Sequence, residues 1–419
     1  MSGQPLSILV LCPHYVPDTA PTGEVMTAIC ERWTARGHQV EIITSLPWYQ
    51  GHAVADGWSG RLVRTQREPW GRIRRWHPFP ADKRRLSARA ASFVGFTALA
   101  GVDAVIASGR CDVVFAMSPP LTLGAAGWAA AWRGRAPLVF NVQDVFPDAA
   151  VDTGVLRSAR VAAAASWLER WVYRRASAIT VLAEGMAVNV RAKLDVGVDP
   201  DKVVVIPNAA DSDRITPTDR HNRYRAELGL AGAEATVVMY AGNLGHSQPL
   251  EMVVSAAERF ADQGRTDVHF VVNGDGVARS SVMAAAERLD TLHLVGWQPP
   301  ERLGEVLAAA DLHLVLLRAG LGTTSVPSKV YSVLAAGRPV LASVDRGSEV
   351  ERLLDASGAG TTIDPEDVDS FCAAVAHMTD HPDELVEMGR RGRAYAENAA
   401  GPQQVADRYL ELFAELVGK

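Results

Sequence analysis

Short apolar runs alternate with longer amphipathic stretches along almost the whole chain. In the first half the runs predict strands over 7–12, 39–44, 112–116, 137–142, 178–182 and 203–206, with helical stretches such as 24–36, 121–132 and 160–175 between them. In the second half, strands over 235–240, 268–272, 292–295, 312–317, 339–342 and 360–363 alternate with helices over 250–263, 277–289, 300–309, 327–336, 348–356 and 367–379. Strands separated by helical patterns are βαβ units, so the chain is read as α/β, two doubly wound parallel sheets in tandem. The seam falls at Pro207-Asn208-Ala209-Ala210-Asp211, where a strand runs into turn formers. The expected domains are therefore 1–211 and 212–400, followed by a 401–419 segment whose helix over 403–416 packs back toward the first domain. In open sheets of this kind ligands bind outside the carboxyl ends of the strands. Polar and glycine-rich positions just after strands are the site candidates, and two such sheets facing each other would offer them across a cleft.

A chain of 419 residues suits two domains, and 48% hydrophobic with 21% charged residues leaves enough apolar material for two cores. The first apolar run has no basic residues before it and reads as a strand and not a signal peptide. The longest apolar region, 90–106, contains Ser92, Thr97, Gly101 and Asp103. It is read as a helix running into a loop, with no membrane span. The four cysteines, Cys12, Cys30, Cys111 and Cys372, form no C-x-x-C pair. They are read as reduced and buried, which fits a cytoplasmic protein. A net charge of −6 argues against nucleic acid as a partner. One region departs from that balance. From Arg61 to Arg110 there are eleven Lys or Arg against three acids. The block between Arg61 and Arg89 ends in Lys83, Arg84 and Arg85 and leads into Phe93, Val94, Phe96 and Leu99. It reads either as a solvated face backed by core residues or as a patch for an anionic membrane surface, peripheral on the inner face of the cell membrane.

Neither a G-x-G-x-x-G after the first strand nor a G-x-x-x-x-G-K-[ST] occurs, which disfavours nicotinamide enzymes and P-loop ATPases. The three D-x-D pairs, at Asp199/Asp201, Asp211/Asp213 and Asp367/Asp369, do not end apolar strands, so no metal and no cofactor is expected. The segment with most chemical content is Ser325-Val326-Pro327-Ser328-Lys329-Val330-Tyr331-Ser332, a loop with Pro opening a helix. A helix start after a strand and loop favours an anion, and Lys329, one of only five lysines, adds a point charge for a diphosphate. An ordinary capped helix with a solvated Lys fits the same residues.

This segment resembles the donor-site signature of family 4 glycosyltransferases, of the branch that makes bacterial exopolysaccharides and lipid-linked sugars, including fucosamine transferases. The similarity extends over nearly the whole chain: Asp112-Val113-Val114 with Ser118-Pro119-Pro120, Asp144-Val145-Phe146-Pro147-Asp148, Leu168-Glu169-Arg170-Trp171, Val205-Ile206-Pro207-Asn208, Tyr240-Ala241-Gly242-Asn243-Leu244-Gly245, Gly274-Asp275-Gly276 and Val295-Gly296-Trp297 occur in the family's order. The resemblance implies a GT-B fold, two Rossmann-like domains around a cleft, and a nucleoside-diphosphate sugar as donor, UDP first and GDP second. It implies that Gly242, Asn243 and Gly245 approach the diphosphate, that Ser328 and Lys329 hold it, and that Gly296 and Trp297 line the base pocket. Gly23, with Glu24, brings an N-terminal loop to the phosphates, and Asp144 orients acceptor or sugar, so that Lys329 and Asp144 form the catalytic set. The chain departs from the pattern where the family has two glutamates, here Thr324 and Ser332, where it has an arginine, here Asn243, and where it often has a histidine, here Gln143.

The activity implied is retaining, metal-independent transfer of a sugar to a hydroxyl of a glycan or lipid-linked acceptor in envelope or exopolysaccharide synthesis. Two alternatives stand beside it: a GT-B-like nucleotide-sugar epimerase, and a non-catalytic nucleotide-sugar-binding partner of another transferase, suggested by Thr324 and Ser332.

Overall fold

The computed structural model describes residues 4–49, 53–80, 86–152, 156, 158–210, 212–232, 235–322, 326–399 and 401–418. The chain divides into two compact units, residues 1–208 with 402–419, and residues 209–401.

The first unit is built on an eight-stranded sheet of order β3-β4-β2-β1-β5-β6-β7-β8. Its strands are β1 Ser7–Leu11, β2 Gln39–Ser45, β3 Val63–Glu68, β4 Gly71–Trp76, β5 Val113–Ser118, β6 Leu138–Val142, β7 Ala178–Val181 and β8 Val203–Val205. All pairs are parallel except β3 with β4, an antiparallel hairpin. Parallel strands covered on both faces must be apolar throughout, and β5 and β6 are buried at every position. The hairpin lies in the basic block, where no strand is read from the sequence. Of its two buried positions, Ile73 and Arg75, one holds arginine, so the apolar alternation that marks a strand is missing. Arg75 is fully buried: its guanidinium donates to Gln66 Oε1 (2.7 Å) and to the Tyr15 and Val16 carbonyls (3.2 and 2.6 Å). Arg72 and Arg74 pair with Glu41 on β2 at 2.7 and 2.8 Å, and Arg74 also pairs with Asp103. Three of the block's cations are thus spent on internal pairing. Arg61, Arg64 and Arg67 have no carboxylate partner among the described residues. Lys83, Arg84 and Arg85, and the side chain of Arg89, lie outside the described residues.

The region expected to be a helix running into a loop is helical throughout, Leu86–Ala107, with a further 3-10 turn to Arg110. Over Ser92–Arg110 it is long and apolar enough to cross a membrane, and 39% of it is buried. The last helix, Pro402–Val417, packs on the Pro21–Ala35 helix. The Trp33 indole donates to the Ala406 carbonyl (3.1 Å), and Trp33, Phe115, Tyr409 and Phe413 form a cluster with centroids 5.2 to 6.3 Å apart, edge to face except for the tilted Tyr409–Phe413 pair.

The second unit carries a six-stranded parallel sheet of order β11-β10-β9-β12-β13-β14. The strands are β9 Thr236–Ala241, β10 Val268–Asn273, β11 Leu292–Val295, β12 Leu312–Leu316, β13 Val340–Ser343 and β14 Gly360–Ile363. After β9 the chain winds outward through β10 and β11, then crosses back to β12 on the other side of β9. The order therefore reverses between β9 and β12, and the first unit reverses in the same way between β1 and β5. Loops diverge at such a switch and leave a crevice at the strands' carboxyl ends. An ion pair between buried Arg225 and Asp311 ties the Arg223–Glu227 helix to the start of β12.

Candidate functional site

Gly242 follows β9 with φ +143°, and its amide donates to the Asn273 carbonyl (2.9 Å). The Leu244 amide donates to the Asp275 carbonyl (2.9 Å) and the Gly274 amide to the Val295 carbonyl (2.8 Å). The loops after β9, β10 and β11 therefore lie side by side. Gly-Asp-Gly, a weak signal in sequence, has a steric reason here. Gly274 has φ +152°, and a Cβ on it would stand 1.9 Å from the Gly242 carbonyl oxygen. Gly245 is confined by its own loop, because a Cβ there would meet the Asn243 and Gln248 side chains at 2.7 and 2.8 Å. The Gln248 side chain accepts from the Gly245 amide (3.1 Å). Sequence reasoning missed the clamp on this loop. Arg318, just beyond β12, donates to the His246 carbonyl (2.9 Å) and pairs with Glu251 and Glu366, both at 2.7 Å.

Lys329 lies across the switch. It is the first residue of the Lys329–Ala335 helix, and Ser328, expected within the first turn, is the cap residue preceding it. The Lys329 ammonium is buried and has no hydrogen-bond partner among the described residues. It stands 3.6 Å from the centroid of the Tyr240 ring, and a Cβ on Gly242 would be 3.1 Å from it. Tyr240 is itself fixed, its hydroxyl donating to the Asn243 carbonyl (2.7 Å). The aromatic face recovers part of the lost hydration of the cation. No carboxylate among the described residues recovers the rest, and burial lowers the Lys329 pKa from 10.5 to about 7. A solvated lysine was one reading of the sequence; the structure has instead a buried ammonium against Tyr240 and Gly242.

The other expected donor residues are less closely held. Ser332 is half-buried one turn further along the helix. Thr324 lies outside the described residues. Gly296 follows β11 with open space on its Cβ side, and Trp297 is 43% exposed, so no packed protein wall surrounds the indole. Asn243 is exposed at the tip of the loop.

In the first unit Gly23 is neither a turn nor a loop residue. It is the third residue of the Pro21–Ala35 helix, where a Cβ would stand 3.0 Å from the His14 Cβ and 3.2 Å from the Tyr15 nitrogen. Glycine lets the helix start press on the loop after β1, and half-buried Glu24 follows in that first turn. Asp144 is half-buried two residues beyond β6. It caps no helix, since the next one begins at Asp148. Gln143, where the family often has histidine, is buried in an amide chain. Its side chain donates to Asn141 Oδ1 (2.7 Å) and accepts from Asn208 (2.8 Å), and Asn141 donates to Thr180 and Tyr409, both at 3.0 Å. A second pair was not foreseen: buried His14 contacts Asp18 at 2.6 Å, with the His14 ring stacked on Trp48 and edge-on to Tyr49. Its signal was the i, i+4 spacing in the loop after β1. Of the D-x-D acids, Asp199 caps a 3-10 turn, Asp367 caps the Val368–Thr379 helix, and Asp369 pairs with Arg259 at 2.8 Å.

Two family descriptions match this architecture in order, a glycosyl transferase 4-like domain over residues 22–209 and a glycosyl transferases group 1 domain over residues 235–381. The chain is 25% identical to a putative colanic acid biosynthesis glycosyl transferase of Escherichia coli K12, over 97% of this chain and 99% of that protein. It is 29% identical to a probable glycosyltransferase of Pseudomonas aeruginosa, over 67% of this chain and 66% of that one. Among solved structures, sucrose-phosphate synthase from Thermosynechococcus elongatus superposes with a TM-score of 0.77 at 15% identity, covering 99% of both chains. Anabaena HepE, solved with UDP-glucose, superposes with a TM-score of 0.70 at 15% identity, covering 98% of this chain and all of that one. With both domains matched in sequence order on the two tandem Rossmann-like units, the chain is a glycosyltransferase, a member of family 4 with the GT-B fold.

Proposed function

We propose that this enzyme transfers a sugar, with retention at the anomeric carbon, from a uridine-diphosphate sugar to a hydroxyl of a glycan or lipid-linked acceptor in exopolysaccharide or cell-envelope synthesis. The observation that carries the donor half is the buried, unpartnered Lys329 ammonium beside Gly242. A diphosphate laid along the β9 loop supplies the missing counter-anion, and the glycines leave its oxygens room to reach the backbone. Uridine is favoured over guanosine because the HepE structures hold UDP and UDP-glucose. The acceptor class follows the colanic acid relative.

In the step proposed, the bond from the anomeric carbon to the leaving phosphate oxygen breaks while the acceptor oxygen forms its bond on the same face. The acceptor proton passes to the leaving phosphate oxygen, so no nucleophile on the enzyme is needed. Negative charge grows on the diphosphate, and Lys329 and the Gly242 loop stabilise it as it develops. Asp144 orients the incoming hydroxyl. The scheme uses no metal.

The test is product formation with UDP-, GDP- and dTDP-sugars on a lipid-diphosphate sugar acceptor, with the anomeric configuration read by NMR, for wild type and Lys329→Ala. A retained configuration, one preferred base and a loss of about 100-fold or more in the variant are expected. Inversion, or an unimpaired variant, overturns the scheme. The half-buried Ser332, neutral and short where the family has glutamate, supports the reading as a non-catalytic binding partner. Donor binding without turnover on any acceptor would favour it.

A further inference from the structure

We infer that the helical layer on one face of the first unit, and not the basic hairpin, is a docking surface for an anionic lipid bilayer. This rests on observations outside the donor site. The crossovers from β4 to β5, β5 to β6 and β6 to β7 all advance in one direction along the sheet, whereas that from β1 to β2 runs the other way. Right-handed connection puts the Leu86–Ala107, Thr122–Gly134 and Ala159–Arg175 helices together on one face, with Pro21–Ala35 on the other. Inside the layer they are closely fitted: Gly101 abuts Ala126, Gly124 abuts Val172, and Trp128 meets Trp171 edge to face at 5.0 Å.

Their outer surface is apolar and bare. Val94, Val102 and Ile106 recur on one stripe of the first helix, spanning about 18 Å at 1.5 Å per residue, with Ile106 72% exposed. The neighbouring helices add Trp132, 72% exposed, and Val161 with Trp167, 61% exposed. Ordinary soluble helices turn such residues inward.

The ionised groups are sorted in the same sense. The acids on the three helices are Asp103 and Glu169, and both are buried. Asp103 is consumed by Arg74 and the Trp76 indole, and Glu169 by Lys193 and Tyr173. Among the described side chains, the exposed charges on the layer are Arg133, Arg160, Arg170, Arg174 and Arg175. Arg175 lies flat on Trp171 at 4.0 Å, and Arg174 pairs with Asp195. Valine and isoleucine flanked by tryptophan and arginine suit the boundary between acyl chains and acidic headgroups. The charge also decides between occupants. Because the exposed charges described on this face are all arginines, a second copy meeting it two-fold would set arginine against arginine, whereas phosphate headgroups complement it.

The test is flotation of the full chain with vesicles of phosphatidylcholine alone and of an equal mixture with phosphatidylglycerol, in low and high salt, with thermal melting as a check on folding. Binding to the mixed vesicles that weakens with salt is expected. Trp132→Ala with Trp167→Ala should lower partitioning about tenfold or more, and each of Arg133→Glu and Arg170→Glu about fivefold or more. The triple change Arg61→Glu, Arg64→Glu, Arg67→Glu should leave it within about twofold. Loss of binding in that hairpin variant alone overturns the assignment. So does absence of vesicle binding together with a dimer in light scattering that Trp132→Ala with Trp167→Ala dissolves, and so does failure to bind any vesicle as a monomer.

Discussion

Lys329 can be tested through the proton it lacks. Burial without a partner sets its pKa at about 7 in the donor-free protein, so near neutral pH about half the molecules carry it uncharged. A bound diphosphate favours the ammonium, so donor binding must take up a proton. With the complex protonated throughout, uptake is about half a proton at pH 7 and close to one at pH 8.5. The association constant then falls about 30-fold between pH 6 and pH 8.5, ~2 kcal/mol. The assay is isothermal titration with UDP-glucose, whose diphosphate diester stays fully ionised across that window, in buffers of different ionisation heat. The dependence of the observed heat on buffer gives the proton count directly. Lys329→Met supplies the reference, and its weaker binding should show neither the uptake nor the slope. A wild-type affinity that is flat with pH, or an uptake equal in wild type and variant, would refute the assignment of Lys329 to the donor phosphates.

The same burial has a stability consequence. Because the folded pKa lies below the unfolded value, the penalty is full below about pH 7 and is relieved as pH rises toward 10.5; Lys329→Met should therefore raise stability by on the order of 4–5 kcal/mol at pH 6, shrinking at alkaline pH, as read by denaturant melts. Gly274→Ala forces a Cβ against the Gly242 carbonyl and should cost about 3 kcal/mol or more while displacing the β9 loop, visible as a lower Tm with loss of nucleotide binding. Phe413→Ala opens the cluster around Trp33 and should cost about 3–5 kcal/mol, with a change in Trp33 fluorescence on the folded baseline; an unchanged Tm would contradict the packing described.

The strands of both sheets were legible because a strand buried on both faces is an uninterrupted apolar run, and turn formers bound each one. What escaped had its signal reversed. The β3–β4 hairpin sets Arg75 where an apolar residue is expected, its charge met by Gln66 across the hairpin and by the Tyr15 and Val16 carbonyls, which are distant in sequence. The Pro382–Asn398 helix shows little apolar period because glycine forms much of its contact face. A Cβ on Gly389 would stand 2.2 Å from the Gly337 carbonyl, and one on Gly392 would stand 2.9 Å from Leu334. In the second unit, the order of motifs placed Lys329 at a helix start after the correct strand. Its burial on Tyr240 was hidden, because lysine at a helix start is ordinarily hydrated and nothing local marks the ring beneath it. The His14–Asp18 pair and the Arg318 clamp were likewise invisible, since their meaning lies in the loops they meet.

The return of the Pro402–Val417 helix to the first unit bears on how the protein is made. On the ribosome, residues 1–208 emerge first, yet Trp33 and Phe115 lack Tyr409 and Phe413, and Asn141 lacks the Tyr409 hydroxyl, until nearly two hundred further residues have been synthesised. The second unit is continuous in sequence and can close as soon as it leaves the tunnel. The part of the enzyme translated first is therefore the part completed last, and in the interval its unfinished aromatic seam is the surface that a chaperone would have to shield.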